Sequence, residues 1–115
     1  NSNVIYTKLD GYKFMFMGDA GIDKEKDLLD QYNLKNIDFL KVGYHGSKTS
    51  SSKSFINEVN PKYSIISVGK NNRYGHPNKE VLNNLEGSKI YRTDQDGSIE
   101  IKINKTEDKI KTYSP

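Results

Sequence analysis

The sequence predicts an α/β fold in which a mixed β-sheet carries helices on one face. Between residues 12 and 92, short apolar runs alternate with stretches of helical periodicity, which is typical of strands joined by helical crossovers. Asp10-Gly11 is a strong hairpin signal, the segment 94–97 predicts a turn, and hairpins at both ends of the chain indicate an antiparallel component. The chain has 115 residues, which is long enough for one domain with a modest core.

The first half of the chain predicts three strands and one helix. The strands are 4–9, 12–17 and 37–42. The second of these strands is apolar almost throughout, so we expect both faces of the sheet to be covered there. The helix spans 23–32, with Asp23 as its expected N-cap. Its expected buried stripe consists of Leu28, Leu29 and Tyr32.

The second half predicts two helices and four strands. Ser50 or Ser51 can cap the first helix, which ends before Pro61, and Pro77 suits the first turn of the second. The expected buried positions are Phe55, Ile56 and Val59 in the first helix and Val81, Leu82 and Leu85 in the second. The strands are 63–68, 89–92, 98–103 and 109–113.

Composition excludes several kinds of chemistry. The chain has no cysteine, which removes disulfides, thiolate metal sites and cysteine nucleophiles. Its formal net charge of +3 is a mild basic bias, compatible with a phosphate-bearing partner. The chain contains no apolar run of membrane-spanning length and no signal-peptide pattern, so we expect this stretch to be soluble.

Three loops share a position between an apolar strand and a helix, and they contain Asp19, His45 and His76. In sheets with crossover connections such loops lie at the carboxyl ends of the strands, where ligands bind. A carboxylate and imidazoles at one sheet edge suit zinc or manganese. The alternatives are a helix-capping or turn role for Asp19 and a solvated surface position for His45.

The predicted ligand set is too small for a complete metal centre. The chain has only two histidines, and neither belongs to an H-x-H or H-x-x-x-H pair. A catalytic zinc site usually has three protein ligands and a water, and a site with two metals needs more. Two or three side chains are therefore short of what catalysis requires.

Four segments in order resemble one known family. They are 1–19, LKVGYHGSKTS at 40–50, KYSIISVGKNNRYGHP at 62–77 and IYRTDQDGSI at 90–99. Together they resemble the ComEC family of DNA-uptake competence proteins, and more narrowly the metallo-β-lactamase-fold domain at the C-terminus of that family. The resemblance covers nearly the whole chain.

The resemblance implies a fold and explains the shortage of ligands. The family fold is an αββα sandwich of two halves, and the first half carries an H-x-H-x-D-H metal motif. This chain lacks that motif. The resemblance therefore implies that residues 1–115 are the C-terminal half of such a domain, which in its complete form would hold two divalent metals, zinc or manganese.

The resemblance also implies a role for each candidate residue. By position, Asp19 matches an aspartate that lies between two metals, and His45 matches a ligand of the second metal. Tyr44 stands where family members commonly have another histidine. His76 falls in the Tyr-Gly-His-Pro motif, which implies contact with substrate phosphate or proton donation to the leaving oxygen.

Basic and hydroxyl residues in the same loops are candidate phosphate contacts. They are Ser47, Lys48 and Arg73. The alternative is a solvated basic surface. Asp94 and Asp96 match a further family motif, but turn formation is the preferred interpretation for both.

The functional hypothesis is a metal-dependent phosphodiesterase or nuclease that acts on DNA during uptake. The parent would then be a bacterial membrane protein with this domain outside the cytoplasmic membrane. Two alternatives stay open: a stand-alone extracellular hydrolase of another phosphoester, and a non-catalytic interaction module. We expect the isolated chain to be inactive, and to self-associate through the apolar strands that the missing half would cover.

Overall fold

A computed structural model of the chain describes residues 4–18, 20–43, 51–68, 77–103 and 108–113. The strands are β1 (Ile5–Leu9), β2 (Tyr12–Phe16), β3 (Phe39–Lys41), β4 (Tyr63–Ile66), β5 (Lys89–Arg92), β6 (Ser98–Ile103) and β7 (Asp108–Tyr113). The helices are α1 (Ile22–Gln31), α2 (Lys53–Val59), α3 (Lys79–Asn84) and the single turn α4 (Thr93–Asp96). The predicted α/β class is confirmed.

The main sheet is mixed, as predicted, and its five strands follow chain order from β1 to β5. β1 and β2 form an antiparallel hairpin, and β2 to β5 are parallel to one another. The hairpin turns at Asp10 and Gly11, whose φ angles are both positive (50° and 86°). This is the geometry that an Asp-Gly dipeptide favours between two strands.

The helices pack on one face of this sheet, as predicted. Inward-facing residues of three parallel strands, Met15, Leu40 and Ile66, belong to the same core cluster as Phe55 of α2 and Val81 of α3. Leu28 and Leu29 of α1 pack against that cluster. Burial of these apolar side chains is the main favourable free-energy term that holds the helices against the sheet.

The opposite face of the sheet is rich in aromatic rings. Phe39 stacks on Phe14 at a centroid distance of 4.8 Å and on Tyr63 at 5.2 Å. On the same face, the β1–β2 hairpin leaves Ile5, Leu9 and Phe16 exposed, at 56%, 54% and 41%. The expectation that both faces are covered along β2 is therefore wrong at Phe16.

The last two strands form a separate antiparallel pair, with Ile101 opposite Ile110. The turn predicted at 94–97 is the short helix α4 followed by Gly97, whose φ is +74°. The chain therefore leaves β5 through one helical turn before it enters β6.

Three local expectations are corrected. Gly21, not Asp23, occupies the N-cap of α1, and Ser52, not Ser50 or Ser51, caps α2. Tyr32 is 58% exposed because α1 ends at Gln31, so the ring lies beyond the helical stripe. The buried residue of that helix is Glu25.

Candidate functional site

The carboxyl ends of the parallel strands lie together at one edge of the sheet. Backbone pairing continues beyond the strands themselves: the Met17 amide donates to the Lys41 carbonyl oxygen (3.1 Å), and the Val42 amide donates to that of Ile65 (2.9 Å). β2, β3 and β4 are adjacent and parallel, so the chain leaves all three toward the same edge. This is the arrangement on which the predicted site depends.

The ends of β2 and β3 are in close contact at this edge. A Cβ atom placed on Gly43 would lie 3.1 Å from the Ala20 carbonyl oxygen, 3.2 Å from the Met17 Cβ and 3.4 Å from the Gly18 carbonyl oxygen. Glycine at 43 therefore allows a backbone approach that a larger residue would obstruct. The described residues on either side of position 19 thus lie against the residue that precedes Tyr44 and His45.

The end of β4 is held by the residue that follows β5. The Thr93 hydroxyl accepts a hydrogen bond from the Val68 amide (2.8 Å) and donates one to the Val68 carbonyl oxygen (2.9 Å). Val68 is the last described residue before the segment 69–76, and Pro77, the first one after it, is buried. Both boundaries of the segment that contains Arg73 and His76 are therefore attached to the fold.

The six predicted site residues all lie outside the described residues. They are Asp19, His45, Ser47, Lys48, Arg73 and His76. Within the described ranges, no cluster of three or more His, Asp or Glu side chains could hold a metal ion. The predicted metal and phosphate contacts of these six residues therefore stay predictions. The structure does place the ends of β2, β3 and β4, which precede these residues in the sequence, at one edge of the sheet.

Sequence reasoning missed Glu25, which lies at the boundary of the His45 segment. Glu25 as a whole is 1% exposed, and its carboxylate accepts hydrogen bonds from the Ser51 amide, from the Ser52 amide (3.0 Å) and from the Ser52 hydroxyl (3.1 Å). Burial raises the pKa of Glu25 above its ordinary value, and the hydrogen bonds from Ser52 and Ser51 partly offset that effect.

Ser51 and Ser52 are fixed by further contacts. The Asn84 side-chain amide donates to the Ser51 carbonyl oxygen (3.0 Å), and the Ser52 hydroxyl caps α2 by accepting from the Phe55 amide (3.3 Å). Ser51 itself has a φ of +55°, which is uncommon outside glycine. The segment 44–50 therefore ends at a point that α1, α2 and α3 jointly define.

One feature of the sequence could have revealed Glu25. Extending the apolar stripe of α1 back by one turn from Leu28 and Leu29 places Glu25 on the same inward face. An acidic residue in a core-facing position needs a partner, because an unpaired buried carboxylate is costly. The sequence does not identify that partner, which lies 26 and 27 residues away.

Asp94 and Asp96 take part in the turn that follows β5. The Arg92 guanidinium donates two hydrogen bonds to Asp94 (3.0 and 2.7 Å), and the Arg92 amide donates to the Asp96 carboxylate (2.8 Å). The hydrogen bonds from Arg92 lower the pKa of Asp94. These contacts agree with the turn-forming interpretation.

Comparison with known proteins identifies relatives over most or all of the chain. ComE operon protein 3 of Bacillus subtilis, a ComEC protein, is 36% identical over 117 aligned residues that include 100% of this chain. This chain belongs to the ComEC family. Competence protein ComA of Neisseria gonorrhoeae is 38% identical over 78% of the chain, and Recombination protein 2 of Haemophilus influenzae is 32% identical over 84%. No family model matches the chain.

These ComEC-type relatives are much longer than the chain. It spans 15% of the Bacillus protein, 14% of the Neisseria protein and 12% of the Haemophilus protein. Among the helices of the described residues, none is long and apolar enough to cross a membrane.

Proposed function

We propose that this chain contributes one side of a metal-dependent phosphodiester hydrolase site in a protein of DNA uptake. Similarity to competence proteins over the whole chain supports the role in uptake. The observation that carries the hydrolase proposal is the contact between Gly43 and the backbone of Ala20 and Gly18. That contact joins the strand ends from which a carboxylate at 19 and an imidazole at 45 follow.

The donor set fits a divalent metal. Asp19 and His45 would be the ligands that this chain supplies, and oxygen with imidazole nitrogen is a combination that both zinc and manganese accept. Two such ions, once bound, would supply Lewis-acid activation of water and of the phosphodiester. The remaining ligands would come from the half of the domain that this chain lacks.

The other predicted residues act on the substrate. Lys48 and Arg73 would neutralise phosphodiester oxygens, and Ser47 would donate a hydrogen bond to the same group. His76 would contact the phosphate or give a proton to the leaving oxygen. DNA is the substrate that this assignment favours, because the relatives are competence proteins.

The sheet face opposite the helices is exposed at the β1–β2 hairpin, although Phe14 and Phe39 themselves are buried (8% and 2%), and this partial exposure supports a two-layer domain. Helices cover one face of the main sheet, while Ile5, Leu9 and Phe16 are exposed beside the Phe14–Phe39 stack on the other. We propose that the missing half of a metallo-β-lactamase-type sandwich packs on this aromatic face. Residues 1–115 would then form the C-terminal half, in a domain outside the cytoplasmic membrane.

The test compares this chain with the same polypeptide extended upstream of Asn1. Metal content after dialysis and cleavage of DNA are measured for both, and for the variants Asp19→Asn and His45→Ala of the longer protein. We expect the longer protein to bind about two metal ions and to cut DNA. Each variant should lose activity, and the isolated chain should be inactive because most ligands are absent.

The control is Asp27→Asn, which changes an exposed carboxylate of α1 that has no assigned part in the site. It should leave metal content and cleavage at the level of the parent. A longer protein that binds no metal and cuts no DNA would favour a non-catalytic interaction module. Cleavage by the isolated chain would contradict the division of the site between two halves.

A further inference from the structure

Glu25 is the only charged side chain that is buried among the residues described in the structure. A buried carboxylate is costly unless its oxygens accept hydrogen bonds. The Glu25 carboxylate accepts hydrogen bonds from two consecutive residues, Ser51 and Ser52. The position of the α1 carboxylate and the position of this Ser-Ser pair are therefore interdependent.

The Ser-Ser pair directly follows the segment 44–50 in the sequence. Ser51 adopts a positive φ, a conformation that persists in a non-glycine residue only where the surroundings determine it. Glu25 satisfies its amide and Asn84 satisfies its carbonyl oxygen. The backbone of Ser51 is thus held on both sides by side chains from other helices.

The other boundary of the same segment is equally constrained. Gly43 lies against the backbone of Ala20 and Gly18, close to where β2 ends. The distance that residues 44–50 must span is therefore set by two fixed points. Glu25 supplies hydrogen bonds at the downstream point.

We propose that Glu25 is a positioning residue of the hydrolytic site. By holding Ser51 and Ser52 against α1, it fixes the downstream end of the segment that carries His45, Ser47 and Lys48. This inference rests on the proposed function, since it assigns Glu25 to the same site. Glu25 touches neither substrate nor metal in this role and acts through the backbone of residues 51 and 52.

Glu25→Gln is the informative change because glutamine has nearly the same shape. It replaces one acceptor oxygen by an NH₂ group, which would face a backbone or hydroxyl donor instead of accepting from it. Glu58→Gln is the matched control. Glu58 lies on α2, is half exposed, and its carboxylate lies 3.8 Å from the Lys35 ammonium.

The first measurement is peptide-resolved amide hydrogen exchange on the protein at its natural length. Glu25→Gln should accelerate exchange in peptides that cover residues 44–52 by about tenfold, because the anchor opens more often. Peptides from β4 should exchange as in the parent, and Glu58→Gln should change neither region. Unchanged exchange at 44–52 in Glu25→Gln would overturn the proposal.

The second measurement is the affinity for Mn²⁺, determined by titration calorimetry on the same natural-length proteins. We expect Glu25→Gln to bind Mn²⁺ about tenfold more weakly, a loss typical of outer residues that orient ligands. Circular dichroism at the assay temperature must show all variants folded. Glu58→Gln should bind Mn²⁺ as the parent does.

The outcomes separate the two proposals. Equal Mn²⁺ affinity in the parent and in Glu25→Gln would overturn the positioning role and leave the proposed function standing. A parent that binds neither Mn²⁺ nor Zn²⁺ would contradict the proposed function, and the positioning role with it. Both proposals would be supported if Glu25→Gln, but not Glu58→Gln, shows faster amide exchange at residues 44–52 and weaker Mn²⁺ binding.

Discussion

The hydroxyl of Thr93 makes two hydrogen bonds to the backbone of Val68, one with the amide (2.8 Å) and one with the carbonyl oxygen (2.9 Å). A single side chain thereby satisfies both polar groups of the residue at which the chain leaves β4. These groups would otherwise be the next members of the ladder between β4 and β5. The start of the segment that contains Arg73 and His76 is fixed by this contact.

Thr93→Val should destabilise the protein by about 2 kcal/mol, because it leaves the partly buried amide and carbonyl oxygen of Val68 without their partner. Because valine keeps the shape of the threonine side chain, the decrease in the free energy of unfolding measures the contribution of the hydroxyl group. Urea unfolding followed by far-UV circular dichroism measures it. Thr112→Val, at an exposed position of β7, serves as the control and should change stability by less than about 0.5 kcal/mol. Equal stability of the two variants would rule out a structural role for the Thr93 hydroxyl.

Gly43→Ala should cost about 1–3 kcal/mol of the free energy of unfolding, because its Cβ would lie 3.1 Å from the Ala20 carbonyl oxygen. A backbone atom cannot move aside as a flexible side chain can. The same urea titration is the measurement. Gly87→Ala is a matched control, since a Cβ at Gly87 meets no atom within 4 Å. A Gly43→Ala protein as stable as Gly87→Ala would mean that the ends of β2 and β3 are further apart than described.

The buried carboxyl group of Glu25 should make the free energy of unfolding fall as the pH rises. Burial raises the pKa of its carboxyl in the folded state above the ordinary value of 4.5. Between these two values the folded state binds more protons than the unfolded state, so the free energy of unfolding falls as pH rises. The contribution is fully present below the unfolded pKa and is lost as pH rises through the folded pKa.

The pH effect of Glu25 is isolated by subtracting the free energy of unfolding of Glu25→Gln from that of the wild type. This difference should decrease as the pH rises above the ordinary pKa of 4.5. Glu58→Gln, which removes an exposed carboxylate, is measured in parallel as the control. An increase with pH for Glu25→Gln would show that the hydrogen bonds from Ser51 and Ser52 outweigh burial.

The aromatic face predicts the behaviour of the isolated 115-residue chain. Ile5 and Leu9 are more than half exposed beside it, so we expect the chain to self-associate through this face. Light scattering at increasing concentration should show oligomers, and the double variant Ile5→Lys/Leu9→Lys should shift the chain toward monomer. Tyr32→Lys changes an equally exposed residue next to α1 and should have no such effect. A monomeric wild-type chain at high concentration would contradict the prediction.

Local sequence determined most of the secondary structure of this protein. Period-two and period-3.6 apolar patterns placed the strands and helices, and Asp10-Gly11 fixed the first hairpin, because such signals act over a few residues. The apolar stripes of α2 and α3 correctly indicated which residues face the core. The same patterns overextended the strands, since hydrophobic periodicity continues into residues such as Ile37 and Val42, which are buried but lie beyond β3.

Tertiary structure decided what local pattern could not. The N-cap of α2 is Ser52, whose hydroxyl accepts from the Phe55 amide and also donates to Glu25 of a distant helix. Gly43 packs against the backbone that follows β2, and Thr93 is paired with Val68 across 25 residues. These contacts join parts of the chain far apart in sequence, so only the packed sheet and helices bring their atoms within bonding distance. The positions of Asp19, His45 and His76 in the sequence were sufficient to suggest a common edge, and the parallel order of β2, β3 and β4 gives that edge its physical basis.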